Sequence, residues 1–224
     1  FDRDEALLQV EEYFGEIPEG APTPSIPGES TVPPLIGKTV RDHVTGDVPL
    51  PRVILAHRIP PYSSDDFAAA EVARAVLGTG RASRLYRRLV REQRVAKDVV
   101  SYAFPLLSGA SMLLVWGTGY EGASVHQLEE AMAAELEGLT DAEPHEVERA
   151  IAVTGTDLVR SLERAGDRAD LLSMFELYFD DPGRLNHELD RLRAVSAQAV
   201  RDFAAERLGP DNRAVVSYEP EVAP

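Results

Sequence analysis

The chain has 224 residues, a net charge of −15 at pH 7 and an apolar fraction of 44%, which is enough for one sizeable core. The excess of acidic residues disfavours nucleic acid and an anionic membrane surface as the main partners. With no cysteine, the chain has neither a disulfide framework nor a thiolate zinc site, and no apolar run is long enough to span a bilayer.

The chain opens with a predicted helix. Apolar residues recur at helical spacing from Asp4 to Phe14, and Gly15 ends the pattern. The stretch that follows, from Ile17 to Pro34, is rich in proline, glycine and serine, which predicts an extended linker. Because the first residue is Phe1 rather than methionine, we expect the chain to be part of a longer protein.

We therefore predict three parts. Residues 1–17 would be a helix left over from a preceding domain, residues 18–34 a Pro-rich linker, and residues 35–224 the main domain. The alternative is that the opening helix packs back on its own domain. No feature of the sequence fixes the compartment, although the cytoplasm is favoured.

The sequence of the main domain predicts mostly strands in its first part and helices afterwards. A helix with a capped start covers Ser63 to Leu77, and Ser108-Gly109 suggests a hairpin between two strands. This order predicts an α+β fold with one antiparallel-rich mixed sheet and helices packed on one face. The predicted strands cover residues 35–44, 48–59, 99–107, 110–119 and 214–218, and five further helices are predicted between residues 124 and 208.

Residues 78–98 combine a glycine-rich turn, a short amphipathic helix and the entry to a strand. Gly78 and Gly80 provide backbone freedom in the turn, and Ser83 is a good N-cap. The helix carries a basic face, which we expect to pair with nearby carboxylates. The arginines of that face are Arg84, Arg87, Arg88 and Arg91.

The sequence gives little indication of a metal or nucleophilic site. No pair of histidines has the H-E-x-x-H or H-x-x-E-H spacing. His145 and Glu148 lie three residues apart at a predicted helix start, but no third ligand is indicated. There is also no G-x-S-x-G, Walker loop or dinucleotide fingerprint. We expect His57, in a predicted strand, to be a packed or surface residue rather than a ligand, and Trp116, also in a predicted strand, to have a core or half-buried role.

Three segments resemble the M16 zinc metallopeptidases, the pitrilysin, insulinase and processing-peptidase group. G-T-G-R-A-S-R-L-Y-R-R-L-V-R-E-Q at Gly78–Gln93 resembles the signature of the family's second, metal-free domain. V-E-E-Y-F-G-E-I-P at Val10–Pro18 resembles the helix that ends the preceding domain. The segment Val195–Pro220 resembles the closing helix and strand. The resemblance therefore implies an M16 peptidase-like fold.

The resemblance also implies a function. The chain would be the non-catalytic half of a zinc metallopeptidase, inactive alone, that forms a chamber for peptide or unfolded polypeptide. It would bind no cofactor itself; zinc would lie in an upstream M16 domain or in a partner subunit of a homo- or heterodimer. One alternative is a non-catalytic scaffold or regulatory subunit of a heteromeric complex. Another is an unrelated acidic α+β binding domain.

In many members of the family the second domain donates hydrogen bonds to the substrate from an arginine and from a tyrosine seven residues later. The arginine position maps to Arg91, but Asp98 stands in the tyrosine position. An ionised carboxylate donates no hydrogen bond and could instead neutralise Arg91. Tyr102 would lie on the same strand face roughly 13 Å from Asp98. Arg91 is therefore the one predicted substrate-binding residue, with no catalytic residue and no metal ligand.

Overall fold

The structure is a computed structural model that describes residues 1–22 and 32–221. It divides into two compact units, Phe1–Ser30 and Thr31–Pro224. The first unit contains helix α1, Arg3–Phe14. The Asp2 carboxylate caps this helix by accepting hydrogen bonds from two backbone N–H groups of the first turn. None of the α1 side chains is buried.

The second unit is built on one five-stranded sheet with the strand order β1-β5-β2-β4-β3. The β1–β5 pair is parallel and the other three pairs are antiparallel. The predicted mixed, antiparallel-rich sheet is therefore confirmed. The strands are β1 (Val40–Gly46), β2 (Arg52–Ile59), β3 (Asp98–Phe104), β4 (Ser111–Thr118) and β5 (Ala214–Pro220).

The first strand begins five residues later than predicted because the preceding backbone bonds to side chains. The carbonyl of Leu35 accepts from Arg58 Nη1 at 3.2 Å, and the N–H of Ile36 donates to Asn212 Oδ1 at 3.2 Å. These groups are therefore not available to a neighbouring strand. Sheet pairing starts at Val40, opposite Ala214.

The predicted helices are present in the predicted order. No helix in the described part of the chain has both the length and the apolar character needed to cross a membrane. The α-helices of the second unit are α2 (Phe67–Gly78), α3 (Val125–Glu137), α4 (Pro144–Glu163), α5 (Ala165–Phe179), α6 (Glu188–Arg193) and α7 (Ala197–Arg207). A π-helix covers Tyr86–Glu92, and 3₁₀ turns cover Gly138–Asp141, Pro182–His187 and Pro210–Asn212.

The core lies between one face of the sheet and the helices. Along β2, every second residue from Val53 to Ile59, including His57, is buried, and the residues that alternate with them are only partly buried, as period-two alternation requires. Helix α3 approaches β4 so closely that a Cβ on Gly117 would lie 3.0 Å from the Sδ atom of Met132. The sheet therefore has one covered face and one partly exposed face.

His57 lies on the covered face and is almost completely buried. Its Nε2 accepts a long hydrogen bond of 3.5 Å from Arg213 Nε, and its Nδ1 has no partner among the described residues. Burial, and secondarily the charge of Arg213, lower the pKa of His57 to about 3. The imidazole is therefore neutral at physiological pH. Of the two roles expected from the sequence, a packed or a surface residue, His57 has the packed one.

Candidate functional site: the 78–98 segment and the open sheet face

Glycine is required at the two positions that begin the 78–98 segment for different structural reasons. A Cβ on Gly78 would lie 2.2 Å from Ser101 Oγ, so this position must be glycine for α2 and β3 to approach each other. Gly80 has a φ of +78°, which L side chains rarely adopt. The turn therefore places the following helix directly beside β3.

The prediction that the Ser83 side chain caps the following helix is wrong. The Ser83 hydroxyl donates to the carbonyl of Gly80 at 2.7 Å instead of accepting from the helix that follows. The hydroxyl thus completes the tight turn, and the side chain is fully buried. The helix itself has a wide π-type turn, in which Gln93 N–H bonds to Arg88 O, five residues earlier.

Arg84 is a buried anchor rather than part of an exposed basic face. Its Nε and Nη2 bond to the two carboxylate oxygens of Glu146 at 3.0 and 2.5 Å. Its Nη1 bonds to Gly138 O at 2.8 Å and to Asp141 at 2.6 Å. Burial, the largest single effect, would raise the pKa of Glu146, but the hydrogen bonds from Arg84 and the Glu143 N–H, together with the charges of Arg84 and Arg87, lower the pKa. Arg84 therefore ties this segment to the start of α4.

The remaining arginines of the helix differ in their surroundings. Arg87 and Arg88 pair with Glu92 at 3.9 and 2.9 Å, and Arg88 also lies 3.7 Å from Glu135. The expected pairing with carboxylates is thus present for these two and for Arg84. Arg91 is exposed and makes no ion pair or side-chain hydrogen bond within residues 1–22 and 32–221.

Asp98 takes part in a chain of hydrogen bonds that does not include Arg91. Thr118 Oγ1 donates to Asp98 Oδ1 at 3.1 Å, and Arg52 Nε donates to the same Thr118 oxygen at 3.3 Å. No ion pair joins Asp98 to Arg91 in the described structure, so the suggested neutralisation is not seen. Tyr102, four residues along β3, is exposed, and its ring packs edge-on against Phe104.

The partly exposed face of the sheet, here called the open face, is organised in rows of residues in register across the strands. Its first row is polar, and the next two are almost wholly apolar. The rows are Asp98–Thr118–Arg52–Tyr218, then Val100–Trp116–Ile54–Val216, then Tyr102–Leu114–Ala56–Ala214. Sequence reasoning missed the polar row because its four members come from four separate segments and meet only through strand register.

The histidines and acidic residues do not gather into a metal site in the part of the chain that the structure describes. Within it, no three His, Asp or Glu side chains lie close enough together to hold a metal ion. His145 and Glu148 are both exposed near the start of α4.

A family model described as the peptidase M16 inactive domain matches residues 1–154, which is more than half of the chain. The chain belongs to the peptidase M16 inactive-domain family. The resemblance in the 78–98 segment and the M16-like α+β fold are thereby both confirmed. No curated protein gives a match to the chain.

Solved structures share the fold of this M16 inactive domain. A protease from Helicobacter pylori is 21% identical with a TM-score of 0.86, over 98% of this chain and 53% of the other. The inactive peptidase domain of a candidate zinc protease from Bordetella parapertussis is 23% identical with a TM-score of 0.69, over 78% of this chain and 94% of the other.

A chain in complex III from Candida albicans is 18% identical with a TM-score of 0.76, over 97% of this chain and 52% of that one. The M16 inactive domain therefore spans about half the length of the Helicobacter and Candida chains. At these identities the likeness shows the fold alone.

Proposed function

We propose that this domain forms one wall of a peptide-binding chamber and that a zinc-bearing M16 domain supplies the chemistry. The observation that carries the proposal is the open face. Val100, Tyr102 and Phe104 of β3 are 36%, 47% and 41% exposed, and they adjoin the apolar rows of β4 and β2. A continuous apolar surface on a strongly acidic chain is typical of an interaction site.

The outer edge of β3 gives this wall a way to hold an extended peptide. β3 is an edge strand and pairs only with β4 within the described residues. An edge strand presents free backbone N–H and C=O groups, which an added peptide strand can satisfy. Alternate side chains of a peptide bound there would face the apolar rows. The expected ligand is therefore an unfolded or extended polypeptide.

Arg91 is the proposed polar contact to that peptide. Its guanidinium is exposed at the last turn of the π-helix, just before β3, and has no partner among the described residues. A charged donor of this kind suits a peptide carbonyl or a developing oxyanion. Asp98 cannot act as the second donor, so the wall contributes one donor of the pair. Attack by zinc-bound water would be carried out entirely by residues of the partner domain.

The coverage of the Helicobacter and Candida chains supports a partner domain of similar size, either in the same polypeptide or in a second subunit. We also propose the division into a residual helix (1–17), a linker (18–34) and the main domain (35–224). In this division α1 belongs to the preceding domain. Part of the proposed linker lies outside the described residues.

Peptide binding to the 224-residue chain tests the proposal directly. We expect an unfolded, fluorescently labelled peptide to bind and to stay intact when zinc is added. Replacing Val100 and Tyr102 by glutamate should weaken binding about tenfold or more, since a charge would enter the apolar rows. Leu177→Glu is the matched control, because Leu177 is 77% exposed on α5, away from the sheet. Chelator-sensitive hydrolysis by the chain alone, or binding that ignores the open-face variants, would reject the proposal.

The second candidate function is a non-catalytic scaffold or regulatory subunit. The loss of a hydrogen-bond donor at Asp98 favours it, and so does the likeness to a chain of complex III. The upstream sequence of the full-length protein discriminates between the two. H-x-x-E-H in that sequence supports the peptidase half, and its absence from the protein and from its co-purifying partner supports the scaffold.

A further inference from the structure

We propose that a cleft at the polar row of the open face binds a carboxylate group of the peptide. The proposal rests on the chamber function argued above and names a specificity site within it. The cleft, here called the Arg52 cleft, has a volume of about 440 Å³. Its polar lining is Arg52, Lys97, Asp98, Thr118 and Tyr218.

The Arg52 guanidinium is held in place from behind. Thr118 is buried, and its hydroxyl donates its proton to Asp98, which leaves the oxygen free to accept from Arg52 Nε. Nε is thus occupied by Thr118. The two terminal nitrogens, Nη1 and Nη2, have no partner among the described residues. They are the pair of donors that binds a carboxylate in the bidentate manner. Asp98 and Thr118 are therefore positioning residues for Arg52.

The charge of the cleft favours an anion. Lys97 lines it and makes no ion pair in the described structure, so two cations face one carboxylate that is already hydrogen-bonded. The charges that line four other clefts balance or are net negative. A local excess of positive charge in a chain of net charge −15 therefore sets this cleft apart.

The shape of the cleft favours an anion on an aliphatic stem. Val48 and Leu50 of the β1–β2 loop and Ile54 of the adjacent apolar row form its apolar wall. Methylene groups would pack against these side chains while the carboxylate meets the guanidinium. A glutamate side chain and the C-terminal carboxylate of a peptide share this chemistry.

Titration of the ¹⁵N-labelled chain with glutarate, and separately with the neutral glutaramide, tests the proposal. We expect glutarate to shift the Nε–Hε signal of Arg52 and the amide signals of Asp98 and Thr118 in the NMR spectrum, and glutaramide not to. Binding should weaken about tenfold in Arg52→Gln, the loss expected for one charged hydrogen-bonded contact, and should weaken further at high salt.

Two further variants test the positioning role. Thr118→Val should weaken glutarate binding and move the Arg52 Nε–Hε signal in the free protein. Thr118→Ser keeps the hydroxyl and should therefore retain the parent affinity and the parent signal position. Arg164→Gln is the control, because Arg164 is a highly exposed arginine that pairs on the surface with Asp167. No shift with glutarate, equal shifts with glutaramide, or unchanged binding in Arg52→Gln would each overturn the proposal.

Peptide arms distinguish the source of the carboxylate and separate this proposal from the chamber function. One peptide carries a single internal glutamate and an amidated end; a second carries no acid and a free C-terminus; a third is neutral throughout. Arg52→Gln should weaken whichever acidic peptide uses the cleft and leave the neutral one unchanged. If glutarate binds and no peptide does, the chamber function fails alone. If all three peptides bind equally and glutarate does not, the carboxylate site fails alone.

Discussion

Replacement of Arg84 by methionine measures how much the buried ion pair contributes to folding. The Arg84 and Glu146 side chains are each 10% exposed, and the variant would leave the Glu146 carboxylate buried with one remaining hydrogen bond, from the Glu143 N–H. Removing one partner of such a pair costs about 3–5 kcal/mol of unfolding free energy. Asp141 is 78% exposed and contributes little. We therefore expect a loss near the lower limit, about 3 kcal/mol.

The assay is chemical denaturation at pH 7, followed by circular dichroism. Arg88→Met is the control, since Arg88 is half-exposed and its loss should cost less than about 1 kcal/mol. A double-mutant cycle with Glu146→Gln isolates the coupling between the two side chains.

The pH dependence provides a second check. In the parent chain the lowered pKa of Glu146 gives stability that is present above its unfolded pKa and is lost as the pH falls through the folded value. Without Arg84, burial alone should raise the folded pKa of Glu146. The deficit of Arg84→Met should then shrink as the pH falls. A loss below about 1 kcal/mol at pH 7 would refute the anchoring role.

Three more substitutions have defined outcomes. Because the folded pKa of His57 is about 3, the contribution of His57 to the unfolding free energy should be fully present above pH 6.5. Below pH 6.5 that contribution should fall by about 1.4 kcal/mol per pH unit. His57→Gln should remove this slope from denaturation curves measured between pH 4.5 and 6.5. Gly78→Ala should cost about 1–3 kcal/mol through its clash with Ser101, whereas Gly138→Ala, with nothing within 4 Å of its Cβ, should be neutral in the same melts. Arg91→Gln should leave stability unchanged and weaken binding of the labelled peptide; unchanged peptide binding would remove Arg91 from the site.

The sequence predicted the elements well because their signals are local. The helical spacing of apolar residues and the Ser108-Gly109 turn each depend on neighbouring residues only. The start of β1 was misplaced because Arg58 and Asn212, distant in sequence, take up the hydrogen bonds of the backbone before it. Tertiary contacts of this kind have no local pattern.

The candidate site was predictable only in part. Arg91 and Asp98 were singled out through the family resemblance of the 78–98 segment, and their role stays a prediction. Arg84 was grouped with a basic face, since arginine is usually exposed, but it is buried. The acidic stretch around Asp141 and Glu146 was the one sequence signal of its partner. Arg52 could not be connected with Asp98, since strand register alone brings them to one row.

The strand order has a consequence for how the polypeptide acquires its structure. β5, near the end of the sequence, lies between β1 and β2, which are close together in the chain. Among the described residues β1 pairs only with β5, so β1 can join the sheet only once β5 is in place. The domain should therefore fold late and slowly, since the β1–β5 pairs join residues 174 positions apart in the chain. Until β5 is inserted, the inner edge of β2 stays unpaired, and such exposed edges and apolar strands are prone to aggregate.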